Sequence, residues 1–140
     1  MAEPEACNTL AMRVVRGRQP EAPSELRGDT FSGRVWADAV LPAAEGVGVT
    51  SVFFEPGART HWHRHEVTQV LHVTAGEGWL QQRDGPGLPL TAGDIAHIAA
   101  GEEHWHGAAP GSFLLHLAVT VGATEWLEAV SDDDYASVFG

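Results

Sequence analysis

Three histidines and a glutamine stand at spacings that suit a metal site. His63 and His65 are two residues apart and Gln69 follows four residues later, while His104 lies in a second cluster, Gly-Glu-Glu-His-Trp-His-Gly. Side chains two apart in an extended strand point to the same face, so the first two imidazoles converge on one point. Three imidazoles and a carboxamide oxygen suit a divalent first-row ion. We therefore predict that His63, His65, Gln69 and His104 bind one divalent metal.

The other histidines need separate assignments, since all eight lie between His61 and His116. His61 shares the predicted strand face and is expected at the rim of a pocket, because pairing it with His63 would leave Gln69 too far along the strand. His72 and His97 are expected to be structural. His106 lies two residues beyond His104, and the unperturbed pKa of histidine lies near neutrality, so we predict a general base there. The alternative is a hydrogen-bonded support of a ligand.

These residues resemble the first motif of the cupin superfamily, in which a Gly, His-x-His, an acidic residue and a second Gly follow one another at fixed spacing. The matching positions are Gly57, His63, His65, Gln69 and Gly76, with Gln69 in the acidic position. The second motif resembles the chain from Gly93 to Ala108, although Ala99 and Ala108 replace its usual Pro and Asn. The resemblance implies a cupin fold, and neither alanine replaces a metal ligand.

The run from Pro56 to Gln69 and the run from Gly101 to Ala108 are similar to those of small manganese-dependent cupin hydroxynitrile lyases. This resemblance implies a Mn(II) site and cleavage of a cyanohydrin. It also implies that Thr50, Val52 and Thr120 line the substrate pocket and that His116 assists catalysis. Thr50 and Val52 are equally compatible with ordinary core positions. Those lyases carry a longer amide side chain where this chain has Thr120, so a different substrate is expected.

The same residues are compatible with other metals and other functions. Ligand affinity alone does not choose among Mn(II), Fe(II), Co(II), Ni(II) and Zn(II). A carboxamide ligand leaves the ion a full +2 charge, which favours Lewis-acid chemistry over redox chemistry. We therefore favour a lyase. The alternatives are an Fe(II)-dependent dioxygenase of diketone or enol substrates and a non-catalytic cupin that binds a small molecule.

Short strand patterns separated by Gly-rich turns predict an all-β antiparallel barrel, and the resemblance specifies a cupin jelly roll. Strands are predicted at Phe31–Leu41, Gly46–Phe54 and Ser112–Val121, with a further strand pattern at Leu10–Val15. A changed period predicts a helix over Thr124–Val130, and the run from Ser131 to Asp134 can begin another helical turn. We expect a flexible N-terminus over 1–11, a barrel over 12–122 and a helical tail over 123–140.

The overall charge argues against several partners. The 140 residues include eight Arg, no Lys and nineteen acidic residues, for a net charge of −11. Such a chain repels nucleic acid and anionic membrane surfaces. Cys7 is alone, and neither a signal-like run nor a membrane-spanning apolar run occurs, so we expect a cytoplasmic protein. We expect a small-molecule substrate, and a homodimer or higher oligomer formed through an exposed strand edge near the N-terminus.

Overall fold

The computed structural model describes residues 12–17, 23–44 and 46–139. Strands dominate this part of the chain, and a single short helix follows them. The strands are β1 (Glu25–Arg27), β2 (Phe31–Ser32), β3 (Val35–Ala44), β4 (Val47–Phe54), β5 (Arg59–Thr60), β6 (His63–His65), β7 (Thr68–Gln82), β8 (Gly87–Thr91), β9 (Ile95–Ile98), β10 (His104–Ala108), β11 (Leu114–Val121) and β12 (Thr124–Trp126), and the helix is α1 (Asp132–Ser137). The predicted all-β jelly roll with a short C-terminal helix is confirmed.

The long strand β7 joins the two walls of the barrel. Its first part pairs with β11 and β9, and its second part pairs with β10 and β8. The path of hydrogen-bonded neighbours runs β1-β3-β4-β11-β7-β10-β5-β2, and every pair is antiparallel. Strand β6 pairs with β10 and β12 beside this path. The two histidine clusters therefore lie on paired strands, although about forty residues of sequence separate them.

Alternation along the strands divides an apolar interior from the outer faces. Val52 and Phe54 of β4, Leu71 and Val73 of β7 and Leu114 of β11 are all buried. They belong to one cluster, and burying each such side chain stabilises the fold by about 1.5–3 kcal/mol. A second cluster, which includes Trp62, Trp105, Val130 and Tyr135, joins the C-terminal segment to the barrel.

The predicted strand Phe31–Leu41 is interrupted in the structure. Gly33 has a φ of +80°, and an added Cβ would lie 2.9 Å from Ala58, so the chain turns tightly between β2 and β3. Strand β3 then continues through Pro42, with irregular register on both sides of Leu41. A proline cannot donate to the ladder, and such irregularities accommodate it.

The predicted helix over Thr124–Val130 is wrong. Thr124–Trp126 is strand β12, which pairs with β6 so that Thr124 faces His65 and Trp126 faces His63. Tertiary pairing here overrides a helical periodicity only seven residues long. Helix α1 begins later, where Ser131 caps it by accepting from the Asp134 N–H, as the acidic run predicted. Strand β12 also lies beyond residue 122, where we expected the barrel to end.

The described part of the predicted N-terminal strand pairs with no strand of the single chain, and its pairing with a second copy stays a prediction. Residues 12–17 belong to no strand, and Met12 and Val14 are more than four-fifths exposed. A strand needs a partner, and the single chain supplies none there. The rest of the predicted segment, the predicted flexible region 1–11 and Cys7 lie outside the described residues. Within the described residues, no helix has the length and apolar character needed to cross a membrane.

Candidate metal centre

His63 and His104 are oriented by the same local device. The Nδ1–H of His63 donates to the carbonyl oxygen of His61 at 2.9 Å, and that of His104 donates to the carbonyl oxygen of Glu102 at 2.8 Å. Each acceptor lies two residues before its histidine. Because a carbonyl can only accept, Nδ1 carries the proton and Nε2 presents a lone pair. The two residues pair directly between β6 and β10, and their ring centroids are 4.1 Å apart.

His65 supplies a third imidazole. Its ring centroid lies 5.1 Å from that of His63 and 5.3 Å from that of His104. The Nδ1 atom shares a hydrogen bond of 3.0 Å with Thr124 Oγ1, while Nε2 is buried without a protein partner. A buried nitrogen that has no partner is costly unless something else binds it.

Gln69 completes the predicted ligand set. Its side-chain Nε2 donates to Thr120 Oγ1 at 2.9 Å, and its Oε1 lies 3.4 Å from His104 Nε2. Gln69 and Thr120 face each other in the ladder between β7 and β11. The amide is therefore held with its oxygen toward the imidazoles. The structure brings all four predicted ligands together.

Burial keeps these imidazoles neutral. It lowers the pKa of His104 to about 4, and it lowers the pKa of His63 well below the usual range, with a further lowering from the neighbouring His104. The pKa of His65 is also lowered by burial. Since a neutral imidazole is the metal-binding form, the three side chains are ready to coordinate at neutral pH.

His106 and His116 form a buried pair beside the ligands. His116 Nε2 lies 3.1 Å from His106 Nδ1, so the two rings share one proton in a hydrogen bond. The outer nitrogens, His106 Nε2 and His116 Nδ1, are buried without partners. Burial lowers the pKa of His106 well below the usual range, helped by the charge of His116, and lowers the pKa of His116 to about 4.

The donor set fits a divalent metal. Ring nitrogens of His63, His104 and His106 lie within 4.8 Å of one another, so these three histidines could hold an ion. That group contains His106 and omits His65. The Nε2 atoms of His65 and His106 are both buried without a partner, and His106 also shares its Nδ1 with His116. The oxygen of Gln69 adds a neutral fourth donor.

A cavity of about 330 Å³ opens onto these side chains. Its walls include Thr50, Val52 and Thr120, as the sequence predicted, together with His106 and His116. The predicted rim residue His61 is not among the lining residues. Its backbone, rather than its ring, serves the site, because its carbonyl accepts from His63 and its N–H donates to Thr30.

Several residues that line the cavity were not predicted from the sequence. The chain places Arg27, Phe31, Thr124 and Trp126 around the cavity. Strand β12 contributes two of them, and its sequence has a helical period. Strand β1 contributes Arg27 from a stretch of three residues for which no element was predicted. No local signal in the sequence marks these residues, since only strand pairing places them at the site.

Comparison with known proteins places the site in a family. The cupin domain model matches residues 50–121. The chain is 43% identical to the (R)-mandelonitrile lyase of Granulicella tundricola over 113 residues, which covers 76% of this chain and 86% of that protein. The protein belongs to the cupin family.

Solved structures agree with this assignment. A cupin-like protein from Thermotoga maritima has 35% identity and a TM-score of 0.76, covering 90% of this chain and 97% of its own. The polyketide cyclase RemF from Streptomyces resistomycificus, at 22% identity, has a TM-score of 0.68 over 90% of this chain and 91% of its own. The second likeness concerns the fold alone.

Proposed function

We propose that this cupin is a metal-dependent lyase that cleaves cyanohydrins into a carbonyl compound and hydrogen cyanide. The observation that carries the proposal is the neutral imidazole pair of His106 and His116, which lies beside three histidines able to hold a metal. The 43% identity to a protein named (R)-mandelonitrile lyase supports the reaction type. We propose His63, His65, Gln69 and His104 as the ligands and Mn(II) as the ion.

The reaction needs a base for the hydroxyl and a site for the departing anion. A bound divalent ion would supply Lewis acidity for the developing negative charge. His106, neutral because it is buried, accepts the hydroxyl proton through Nε2 while its Nδ1–H donates to His116. As the carbonyl forms, the carbon–cyanide bond breaks with its electron pair on cyanide. His106 then returns the proton, which gives hydrogen cyanide and restores the base.

Gln69 sets the charge of the proposed centre. With three neutral imidazoles and a carboxamide, no ligand charge offsets the ion, so anion stabilisation is strongest. Replacing Gln69 by Glu should keep the metal, because a carboxylate also coordinates, but should slow cyanide release. Mn(II) content and turnover are measured on the same preparation. Unchanged turnover would count against the role given to the amide.

The test is cyanide release from a panel of cyanohydrins by protein stripped with chelator and refilled with Mn(II). His106→Ala should retain the metal and lose about 10²–10⁴ in rate, the usual contribution of a positioned acid–base group. His104→Ala should lose metal and activity together. Absence of cyanide release from the whole panel would reject the lyase. Oxygen uptake with diketones by the Fe(II)-loaded protein would instead support the dioxygenase.

We also propose a cytoplasmic homodimer. The outer face of β4 and β11 carries Val49, Phe53, Leu115 and Leu117, all of them partly exposed in the single chain. Phe53 stacks on Phe113 at 5.4 Å on this face. A patch of this kind on a sheet favours association with a second copy. Light scattering should report a dimer, and a monomer at every concentration would reject it.

A further inference from the structure

One cation stands at the mouth of the cavity. The deep end is formed by histidines that are at most 4% exposed, whereas Arg27 and Trp126 at the other end are about 40% exposed. Arg27 is the one Arg among the described lining residues, and no Asp or Glu lines the cavity with it. Although the chain has a net charge of −11, the described lining thus holds one Arg and no carboxylate.

Among the described residues, the carboxylate that pairs with Arg27 is that of Glu25, and it is held only weakly. Glu25 Oε1 lies 3.8 Å from Arg27 Nη1, and the Glu25 side chain is 74% exposed. An ion pair this long and this exposed contributes little, so a ligand can displace it at small cost. By contrast, Arg59, Arg64 and Arg83 each hold a carboxylate at 3.2 Å or less. The guanidinium of Arg27 thus has donors to offer the cavity.

The other side chains near the mouth of the cavity are apolar, and they indicate the chemical character of the middle part of a ligand. Phe31 and Trp126 contact each other with ring centroids 5.7 Å apart, and Ala37 and Val52 continue the apolar wall inward. The volume of about 330 Å³ is near the lower end of the range for small-molecule sites, roughly 300–1,000 Å³. A compact ligand with an apolar middle fits this lining.

We infer that the substrate carries a carboxylate that Arg27 binds at the cavity mouth, while its hydroxyl or carbonyl reaches the histidines. The substrate class is then a small aldehyde acid or keto acid, or its cyanohydrin. This inference rests on the proposed function for the site of reaction. The neutral ligand set strengthens it, because no carboxylate near the reacting end would repel an anionic substrate.

The experiment compares two probes of nearly the same shape, the anionic 4-(hydroxymethyl)benzoate and the neutral 4-(hydroxymethyl)benzamide. Calorimetric titration measures both with Mn(II)-loaded and with metal-free protein. Wild type should prefer the benzoate, and Arg27→Gln should weaken benzoate binding about tenfold, the lower end for a charge-assisted hydrogen bond at a partly exposed site. In Arg27→Gln the affinity for the benzamide should change less than about twofold. Arg27→Lys, which keeps the positive charge, should bind the benzoate more tightly than Arg27→Gln does.

Arg34→Gln is the matched control. It removes the same charge from an exposed residue outside the cavity, where Arg34 pairs with Glu55. It should leave the affinity for both probes unchanged. Equal weakening of both probes by Arg27→Gln would overturn the inference, as would a wild type that shows no preference. A preference that survives in Arg27→Gln would place the carboxylate at the metal and also overturn it. Binding is measured without turnover, so failure to release cyanide would reject the proposed function and leave this inference standing.

Discussion

Thr120→Val tests how the carboxamide ligand is oriented. Thr120 Oγ1 accepts from Gln69 Nε2 at 2.9 Å, and the two residues face each other across β11 and β7. Valine keeps the size and the branching of threonine but has no hydroxyl, so the strand and the cavity wall keep their shape. The substitution removes the one hydrogen bond that the structure gives to the amide nitrogen.

The expected magnitude follows from the burial of Gln69, which is 5% exposed. A buried donor left without an acceptor costs about 1–3 kcal/mol, and the amide can avoid this cost by rotating toward another acceptor. Rotation moves Oε1 from its place 3.4 Å from His104 Nε2. Since about 1.4 kcal/mol corresponds to a factor of ten, Mn(II) affinity should fall about 10–100-fold, as is usual when the partner of a metal ligand is lost.

The assay is competition for Mn(II) between metal-free protein and a chelator of known affinity. Thr120→Ser retains a hydroxyl at the same place and should bind Mn(II) nearly as wild type. Thr50→Val is the control for cavity polarity, because Thr50 also lines the cavity and has no hydrogen bond to Gln69. It should leave the affinity within about twofold.

Two results would refute this reasoning. If Thr120→Val binds Mn(II) as tightly as wild type, the hydroxyl does not orient the ligand. If Thr120→Ser loses as much affinity as Thr120→Val, packing of the threonine methyl group matters rather than its hydroxyl.

Three further predictions concern stability. Gly107→Ala would place a Cβ 2.5 Å from the carbonyl oxygen of Ala58 and 2.7 Å from the Cα of Arg59 in β5, so it should lower the free energy of unfolding by about 3 kcal/mol in chemical denaturation. Gly111→Ala, with nothing within 4 Å of the added Cβ, should be nearly neutral. Tyr135→Phe removes a buried hydroxyl that donates at 2.6 Å to a backbone carbonyl of β10 and should cost about 1–2 kcal/mol in the same assay. In metal-free protein, the pKa values of His104 and His116 are lowered to about 4, so between about pH 6.5 and 4 the unfolded chain binds more protons than the folded chain. The folded state is therefore most stable above about pH 6.5, and the Tm should fall as the pH drops from there to about 4.

The shared face of the candidate ligands His63 and His65 could be predicted because alternation along a strand is local. Gln69 lies on a separate strand, β7, beyond a bend at residues 66–67, and was placed by the motif spacing. His104 was placed by a second motif. The structure brings His63, His65 and His104 together because β6 and β10 pair directly, and Gln69 reaches His104 from β7.

The residues that surround the candidate ligands could not be predicted, since their positions depend on pairing between strands that are distant in the sequence. Thr124 reaches His65 only because β12 joins β6, and its segment has the spacing of a helix. Arg27 reaches the cavity through the short strand β1, which has three residues and no distinctive pattern. His61 is not among the cavity-lining residues, and strand β6 starts only at His63, so face alternation does not extend back to it.

The C-terminal helix is attached at the end of β10, where Ala108 stands in the position of the second motif's usual asparagine. Ala108 is fully buried, its N–H donates to Ala58, and its carbonyl accepts from the Tyr135 hydroxyl of α1. A hydroxyl from outside the motif thus holds the end of β10. Arg59 reinforces this contact by donating to the Val130 carbonyl at 2.9 Å, with the guanidinium 4.5 Å from the centre of the Tyr135 ring.

The ion pair from Arg59 to Asp132 is the shorter contact, at 2.7 Å, but the carboxylate is 98% exposed. Water screens such a pair, so the buried hydrogen bonds contribute most of the attachment. Strand β5 continues from Arg59 to Thr60, whose hydroxyl accepts from the backbone N–H of His106. The helix that sequence analysis separated from the barrel is therefore connected, through two residues of one short strand, to the histidine proposed to move the proton.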